Sequence, residues 1–350
     1  MPRIKVVAAS LILAAMLGVS PSSAQSLTFT LFESYLESLR EQAGIAGLSV
    51  AVVQGATVWE RGLGKQDVEA NLNASPDTPY FIGDLSQALG ASLLLRKCLE
   101  EDSLEPSDRV ERWVPGHPYA AATIEQLLTH STNDGAFTYD LARFAALTAV
   151  VEQCADRPYR HIVNEEIFER FGMASSAPGL AVGGAANPGA VTFSESTLAR
   201  FADVARRTAP TYRVDRGRPV RSDAARPPLS TASGIVSSVR DLLRFDVALN
   251  SGSIILPSQL VTSWTQARPG GVALPTGRGW FVQNYKGEAV IWQFGLVVNG
   301  HSALMIKVPA RNLTFVALAN SDGLTAGYNL SGGDVTASPF ASLFLRFFVP

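Results

Sequence analysis

Few side chains in this sequence are placed to do chemistry, and their spacing excludes more than it offers. Four histidines stand at 117, 130, 161 and 301, none at ligand spacing to another, and there is no His-Glu-x-x-His run. A zinc-hydrolase helix of that type is excluded, and two cysteines cannot build a four-cysteine zinc site. Gly62-Leu63-Gly64-Lys65 lacks the early glycine and the following Ser or Thr of a phosphate-binding loop, and it ends a strand-like run. Gly300-His301-Ser302 begins like a nucleophile elbow, but Leu304 replaces the second glycine and the triplet falls in a hairpin. Asp84-Leu85-Ser86-Gln87 opens a helical run. Asp followed three residues later by Gln predicts a capping box worth about 0.5–2 kcal/mol. At the positive end of a helix the Asp84 carboxyl is expected to have a lowered pKa and to be an anion at neutral pH.

The elements that must position these residues form a pattern of strands at both chain ends around a helical middle. Leu31 to Ala43 has helical spacing, and Leu48 to Val53 and Thr57 to Gly62 flank a break at Gly55-Ala56, a hairpin signal. Helical patterning covers Asp84 to Glu101, Ile124 to His130, Leu141 to Ala155, Tyr159 to Phe171 and Val239 to Leu249, with loop at Leu104 to Val114 and Ser175 to Pro188. Arg206 to Pro228 carries seven arginines and four prolines. It reads as a solvated, irregular cover, the alternative being a surface for an acidic ligand. Trp280 to Asn284 and Ala289 to Trp292 flank Lys286-Gly287; Leu296 to Val298 and His301 to Lys307 flank Asn299-Gly300; Leu313 to Leu318 follows. Consecutive hairpins predict an antiparallel sheet, closed by a last helix over Pro339 to Phe348. The expected organisation is a sheet-containing part from 27–80 and 230–350 and a mostly helical part from 81–229.

Over 350 residues, 47% hydrophobic and 17% charged residues describe a chain able to bury a core. A net charge of −2 offers no basic field for nucleic acid. Met1 to Lys5 carries two cationic side chains, Val6 to Val19 is apolar but short of the roughly 20 residues of a membrane span, and small residues stand at Ser22 and Ala24. This predicts a signal peptide over residues 1–24, cleaved near Ala24, a mature chain over 25–350, and export to a periplasm; an uncleaved N-terminal anchor is the alternative. In such a compartment Cys98 and Cys154 can oxidise.

Several blocks resemble the serine β-lactamase and penicillin-binding-protein superfamily, in its class C-like branch. They are Gly47-Leu-Ser-Val-Ala-Val-Val, Thr78-Pro-Tyr-Phe-Ile-Gly, Ile124-Glu-Gln-Leu-Leu-Thr-His, Ile167-Phe-Glu-Arg-Phe-Gly-Met, Ala232-Ser-Gly-Ile-Val-Ser-Ser-Val-Arg-Asp-Leu and Val308-Pro-Ala-Arg-Asn-Leu-Thr-Phe-Val-Ala-Leu-Ala-Asn-Ser. Each alone is weak; their order and spacing from about residue 30 onward make them specific. The resemblance implies an α/β (α+β) β-lactamase-like fold, with an antiparallel sheet flanked by helices and a helical insert domain. It implies hydrolase chemistry without a cofactor, from Ser-x-x-Lys at a helix start, Tyr-x-Asn, and Lys-Thr-Gly or His-x-Gly on a strand.

This chain departs from all three motifs. The residues three before its lysines at 5, 65, 97, 286 and 307 are Pro2, Gly62, Leu94, Gln283 and Leu304, so no Ser-x-x-Lys exists in it. The resemblance puts Asp84 at the nucleophile position and Gln87 at the lysine position; Ser86 is the one nearby hydroxyl, with nothing basic a turn beyond. Tyr139 keeps the second motif's tyrosine, with Leu141 in place of asparagine and only eight residues between His130 and Tyr139. The third motif becomes Gln293-Phe294-Gly295. The resemblance therefore implies a catalytically degenerate member, with Asp84, Gln87 and Tyr139 at family catalytic positions. Its cleft, lined by Leu141, Gln293, Phe294 and Gly295, would bind cell-wall peptide or glycopeptide ligands without cleaving them. An alternative is an active periplasmic hydrolase in which Asp84 acts on water with help from Tyr139. A filled cleft, with Leu141, Phe294 and Leu296 packed into it, is the competing expectation. Because the helices after Asp84 and after Tyr139 both leave the family's active site, the resemblance also allows a Cys98–Cys154 disulfide.

Overall fold

The computed structural model describes residues 21–100, 103–180 and 193–350. Residues 1–20, most of the segment expected to be a signal peptide (1–24), and most of the Gly/Ala/Pro-rich loop after Leu180 lie outside the described residues. Strands are β1 (Gly47–Gln54), β2 (Thr57–Asp67), β3 (Leu72–Asn73), β4 (Tyr80–Phe81), β5 (Tyr212–Asp215), β6 (Arg218–Arg221), β7 (Val236–Ser237), β8 (Phe281–Tyr285), β9 (Glu288–Leu296), β10 (Ser302–Val308) and β11 (Leu313–Ala319). Helices are α1 (Pro21–Gln42), α2 (Ser86–Leu94), α3 (Ile124–Leu128), α4 (Leu141–Ala145), α5 (Leu147–Ala155), α6 (Tyr159–Val163), α7 (Glu195–Arg207), α8 (Val239–Asn250), α9 (Pro257–Ser263) and α10 (Pro339–Phe348). Among them no helix is long and apolar enough to cross a membrane.

A seven-stranded antiparallel sheet of order β3-β2-β1-β11-β10-β9-β8 is the frame. The two chain ends meet where β1 pairs β11, with Leu48 opposite Ala319 and Gln54 opposite Leu313. The two-residue period of a strand sorts its side chains between two cores. Leu48, Val50 and Val52, with Leu304, Ile306, Val308, Phe315 and Ala317, face α1 and α10. There Phe32 meets Trp59, Phe315 and Phe348, and Phe344 stacks on Phe315. Ala51, Ala303, Met305, Val316 and Leu318 face the other way, into a core shared with α2, α5 and α8. A buried ion pair between Lys307 of β10 and Asp246 of α8 ties that helix to the sheet, and Thr314 also bonds Asp246.

The three turns joining β8 to β11 carry the positive φ that tight hairpins require. They are Lys286-Gly287, Asn299-Gly300 with Asn299 at 55°, and Asn312 at 47°. The arginine-rich stretch is more ordered than its composition suggests. Arg216 and Gly217, both at positive φ, turn β5 into β6, which pair from Tyr212 with Arg221 to Asp215 with Arg218. Arg221 reaches Asp67 and Glu69, and Arg206 and Arg207 share Asp203, so these three cationic side chains are paired with carboxylates at the surface. Helix α7, absent from the sequence reading, begins at a Ser194 cap. The helical run read over Leu141 to Ala155 divides at Ala146, and the run from Asp84 continues past α2 as a π turn, Leu95–Leu99.

Cys98, in that π turn, is joined to Cys154 of α5 in a disulfide with Cα atoms 5.9 Å apart. The bridge closes a loop of 56 residues that holds the Tyr139 segment against α2. Cys98→Ser is expected to lower stability by about 2–4 kcal/mol. Urea unfolding with and without reductant checks this: reductant should shift the wild-type midpoint and leave the variant's unchanged.

Candidate functional site

Asp84 lies where β4 ends, in a single 3₁₀ turn (Gly83–Leu85) that precedes α2. The turn is pressed against the end of β9. Strand β8 pairs β9 only as far as Trp292, so the edge from Gln293 to Leu296 has no strand beside it there, and the chain at 82–84 lies along it. A Cβ on Gly295 would stand 1.8 Å from the Ile82 carbonyl oxygen, and one on Gly83, at φ +53°, 2.6 Å from the Leu296 nitrogen. Only glycines permit this approach.

The expected capping box is not formed. Helix α2 has Leu85 as its N-cap and no side-chain cap, because Asp84 sits inside the preceding turn and Gln87 is engaged elsewhere. Among the described residues a capping box forms at Thr123 and Gln126, at the start of α3. Gln87 Nε2 instead donates to the Tyr139 hydroxyl at 3.0 Å, and the hydroxyl donates to Asp84 Oδ2 at 3.0 Å. On its other side Gln87 Oε1 lies 2.8 Å from His130 Nε2. His130 Nδ1 accepts the backbone N–H of Asp140 at 3.2 Å, which leaves the ring proton on Nε2, donated to Gln87. One directional chain thus runs Asp140 N–H, His130, Gln87, Tyr139, Asp84.

The short loop after α3 delivers these partners. Thr138 N–H returns to the His130 carbonyl at 2.8 Å and Thr132 N–H bonds the Ala136 carbonyl at 2.9 Å, so the loop closes on itself. The Tyr139 ring then packs on Phe281 and Phe294, with centroids 5.6 and 5.5 Å away. The sequence reading missed His130 as a site residue. Its only signal was its place at the end of the Ile124 block, nine positions before Tyr139.

Burial governs the electrostatics. Removal from water raises the Asp84 carboxyl to about 7, against the opposing pull of the Tyr139 hydroxyl and of the backbone N–H groups of Leu296 and of Asp84 itself. The expected lowering is overturned, since Asp84 occupies a dry turn and not an open helix end. Burial also lowers His130 to about 3, helped by Arg143, and raises Tyr139 well above its ordinary value.

The expected binding surface is buried. Gln293, 1% exposed, bonds the Gly279 carbonyl and the Phe294 N–H with its own amide; Phe294 is 6% exposed under Tyr139. Gly295 is buried against Ile82. Packing across the strand edge thus removes Gln293, Phe294 and Gly295 from the surface. Leu141 alone stays partly exposed, as the first residue of α4, which Asp140 caps. The Ser86 hydroxyl is buried without a partner. Among the described residues no group of three or more His, Cys, Asp or Glu could hold a metal ion.

A beta-lactamase family profile matches residues 32–330. The chain belongs to the beta-lactamase family. It is 23% identical over 337 residues to penicillin-binding protein 4* of Bacillus subtilis (strain 168), covering 83% of this chain and 71% of that protein. It is 24% identical over 162 residues to the putative penicillin-binding protein PbpX of the same organism, covering 38% of this chain and 41% of PbpX. The match thus spans less than half the length of PbpX. Among solved structures, a class C beta-lactamase from Rhodobacter sphaeroides superposes with a TM-score of 0.65 at 18% identity, over 90% of this chain and 98% of that one. The β-lactamase-like fold expected from the sequence is the fold observed.

Because the folded carboxyl of Asp84 titrates near 7 and the unfolded one near 4, the folded chain holds that proton more tightly between them. Its contribution to stability is full below about pH 4 and is lost as pH rises through about 7. Asp84→Asn removes this loss. The variant should gain up to about 4 kcal/mol over wild type at pH 8, and the gain should vanish near pH 4. His130 and His301, both lowered by burial, titrate with the opposite sign, so the wild-type-minus-variant difference is the quantity to plot. A difference that does not change with pH would contradict a raised carboxyl.

Proposed function

We propose that this protein is an exported member of the beta-lactamase family that has lost acyl-enzyme chemistry. The observation that carries the reading is the saturation of the site. Where the family resemblance places a nucleophilic serine and its lysine, this chain has Asp84 and Gln87, and their polar atoms are engaged by one another's neighbours, Tyr139 and His130. A nucleophile needs a free lone pair, a base within reach and room for a substrate. Oδ2 of the Asp84 carboxyl accepts from the Tyr139 hydroxyl, the buried Ser86 hydroxyl has no hydrogen-bond partner, and the end of β9 is packed against 82–84. The exchange of a reactive pair for a hydrogen-bonded pair follows the usual direction of the trade between activity and stability.

Export is supported by the signal-like pattern of residues 1–24 and by the Cys98–Cys154 disulfide, which persists in an oxidising compartment. A cell-wall peptide or glycopeptide, the ligand class suggested by the resemblance, would have to part Phe294 from Tyr139 to reach the strand. Binding there carries the cost of opening a packed aromatic contact.

Hydrolysis of p-nitrophenyl acetate by the mature protein tests the reading. Wild type and Asp84→Ala are expected to match each other and the buffer rate, while Asp84→Ser/Gln87→Lys gains a small burst of nitrophenol. Turnover by wild type that Asp84→Ala abolishes would make Asp84 the base of a working hydrolase and overturn the proposal.

A further inference from the structure

We infer that Cys154 is a thiolation site: a small anionic thiol enters the recess beside it, attacks its sulfur, and leaves a mixed disulfide on Cys154 with Cys98 set free. The inference goes beyond the reading above and does not depend on what Asp84 does. The two sulfurs of the bridge stand in different surroundings. Cys98 is 0% exposed, inside the core that the sheet shares with α2, α5 and α8. Cys154, in the last turn of α5, is only partly buried, at the edge of that core. It borders a recess of about 140 Å³ together with Lys97, Ala155, Arg157, Ile162 and Glu166, and Cys98 does not line it. A thiol arriving from solvent therefore meets Cys154 and not Cys98.

The attacking species is a thiolate, so charge at the recess matters. Lys97 and Arg157 supply cations there. The one carboxylate in the lining, Glu166, is held by Lys97 at 2.9 Å, Arg96 at 3.3 Å and Arg170 at 3.5 Å, and Arg157 is paired with Glu165. Of the other carboxylates on α5 and just past it, Glu152 accepts the Tyr159 N–H at 2.8 Å, and Asp156 is exposed beyond the helix end. The lining thus favours a thiol that brings negative charge with it. As the thiolate bonds to Cys154 Sγ, the Cys98–Cys154 bond breaks. Its electron pair leaves on Cys98, which takes a proton from solvent. One disulfide replaces another, and no outside oxidant is needed. A Cys98 thiol among apolar side chains stays protonated, and a protonated thiol recloses the bridge slowly. The same burial slows its departure, which puts the exchange on a scale of about an hour or more.

Peptide mapping of the wild-type mature chain reads this out. The folded protein is exposed to mercaptoethanesulfonate and quenched with N-ethylmaleimide in acidic urea. The sulfonate adduct is expected on the peptide carrying Cys154, and maleimide on the peptide carrying Cys98, with a preference of roughly tenfold or more. Adduct on Cys98, or shared evenly between the two, overturns the assignment. So does the absence of adduct after a day, under conditions that convert the urea-unfolded chain. Neutral mercaptoethanol, compared at equal thiolate concentration, should react several-fold more slowly. Lys97→Gln/Arg157→Gln should bring the two thiols close to the same rate while keeping the adduct on Cys154. Equal rates for both thiols on wild type would overturn the part given to Lys97 and Arg157.

Discussion

The bond from the Tyr139 hydroxyl to the buried Asp84 carboxyl is the constraint on which the site depends. A carboxyl taken out of water must either find donors or keep its proton, and Asp84 does some of each. Once Tyr139 donates to Asp84, its oxygen needs a donor, and Gln87 Nε2 supplies one. That choice turns the Gln87 carbonyl toward His130, and the Asp140 N–H on the far ring nitrogen fixes the tautomer that can donate to it. Four side chains from three separate stretches of chain thus have a single consistent arrangement of protons. A network with every member satisfied is rigid, and removing one member strands its neighbours.

Backbone geometry makes the same demand from below. The approach of 82–84 to β9 leaves no room for a side chain at Gly83 or Gly295, and the strand edge that would face a substrate faces the protein's own chain. The aromatic group of Tyr139, Phe281, Phe294 and Trp292 seals the other side. Polar saturation and apolar packing therefore act together.

The frame was legible in the sequence because its signals are local. Period-two alternation and the Lys286-Gly287 and Asn299-Gly300 turns place β8 to β10 directly, and the shared blocks extend the frame across most of the chain. The β5–β6 hairpin was hidden because its exposed strands carry arginine and proline, so no apolar alternation marks it. Asp84, Gln87 and Tyr139 could be named from the motif positions, but not what they do. A capping box and a buried turn read identically as Asp-x-x-Gln. What separates them is whether the carboxyl meets water or β9, a contact made across some 210 residues of sequence that no local pattern records. His130 was invisible for the same reason, its role being defined by a glutamine 43 residues earlier.

On the proposed reading, the loss of acyl-enzyme chemistry would extend beyond residues 84 and 87. A lysine placed at 87 would remove the carbonyl to which His130 Nε2 donates. An ammonium there offers only donors, and a neutral amine has one lone pair. That lone pair can accept from His130 or from a serine hydroxyl at 84, but not from both. The tautomer of His130 cannot simply switch, because Nδ1 already accepts the Asp140 N–H and a proton there would oppose it. Asp84, Gln87 and His130 are therefore coupled, and their substitutions are expected to be non-additive. On the proposed reading, the double change at 84 and 87 would give at most a small burst, and full turnover would need a change at 130 as well, each change leaving a buried polar group unpaired if made alone. That coupling gives a physical reason for Asp84, Gln87 and His130 to occur together.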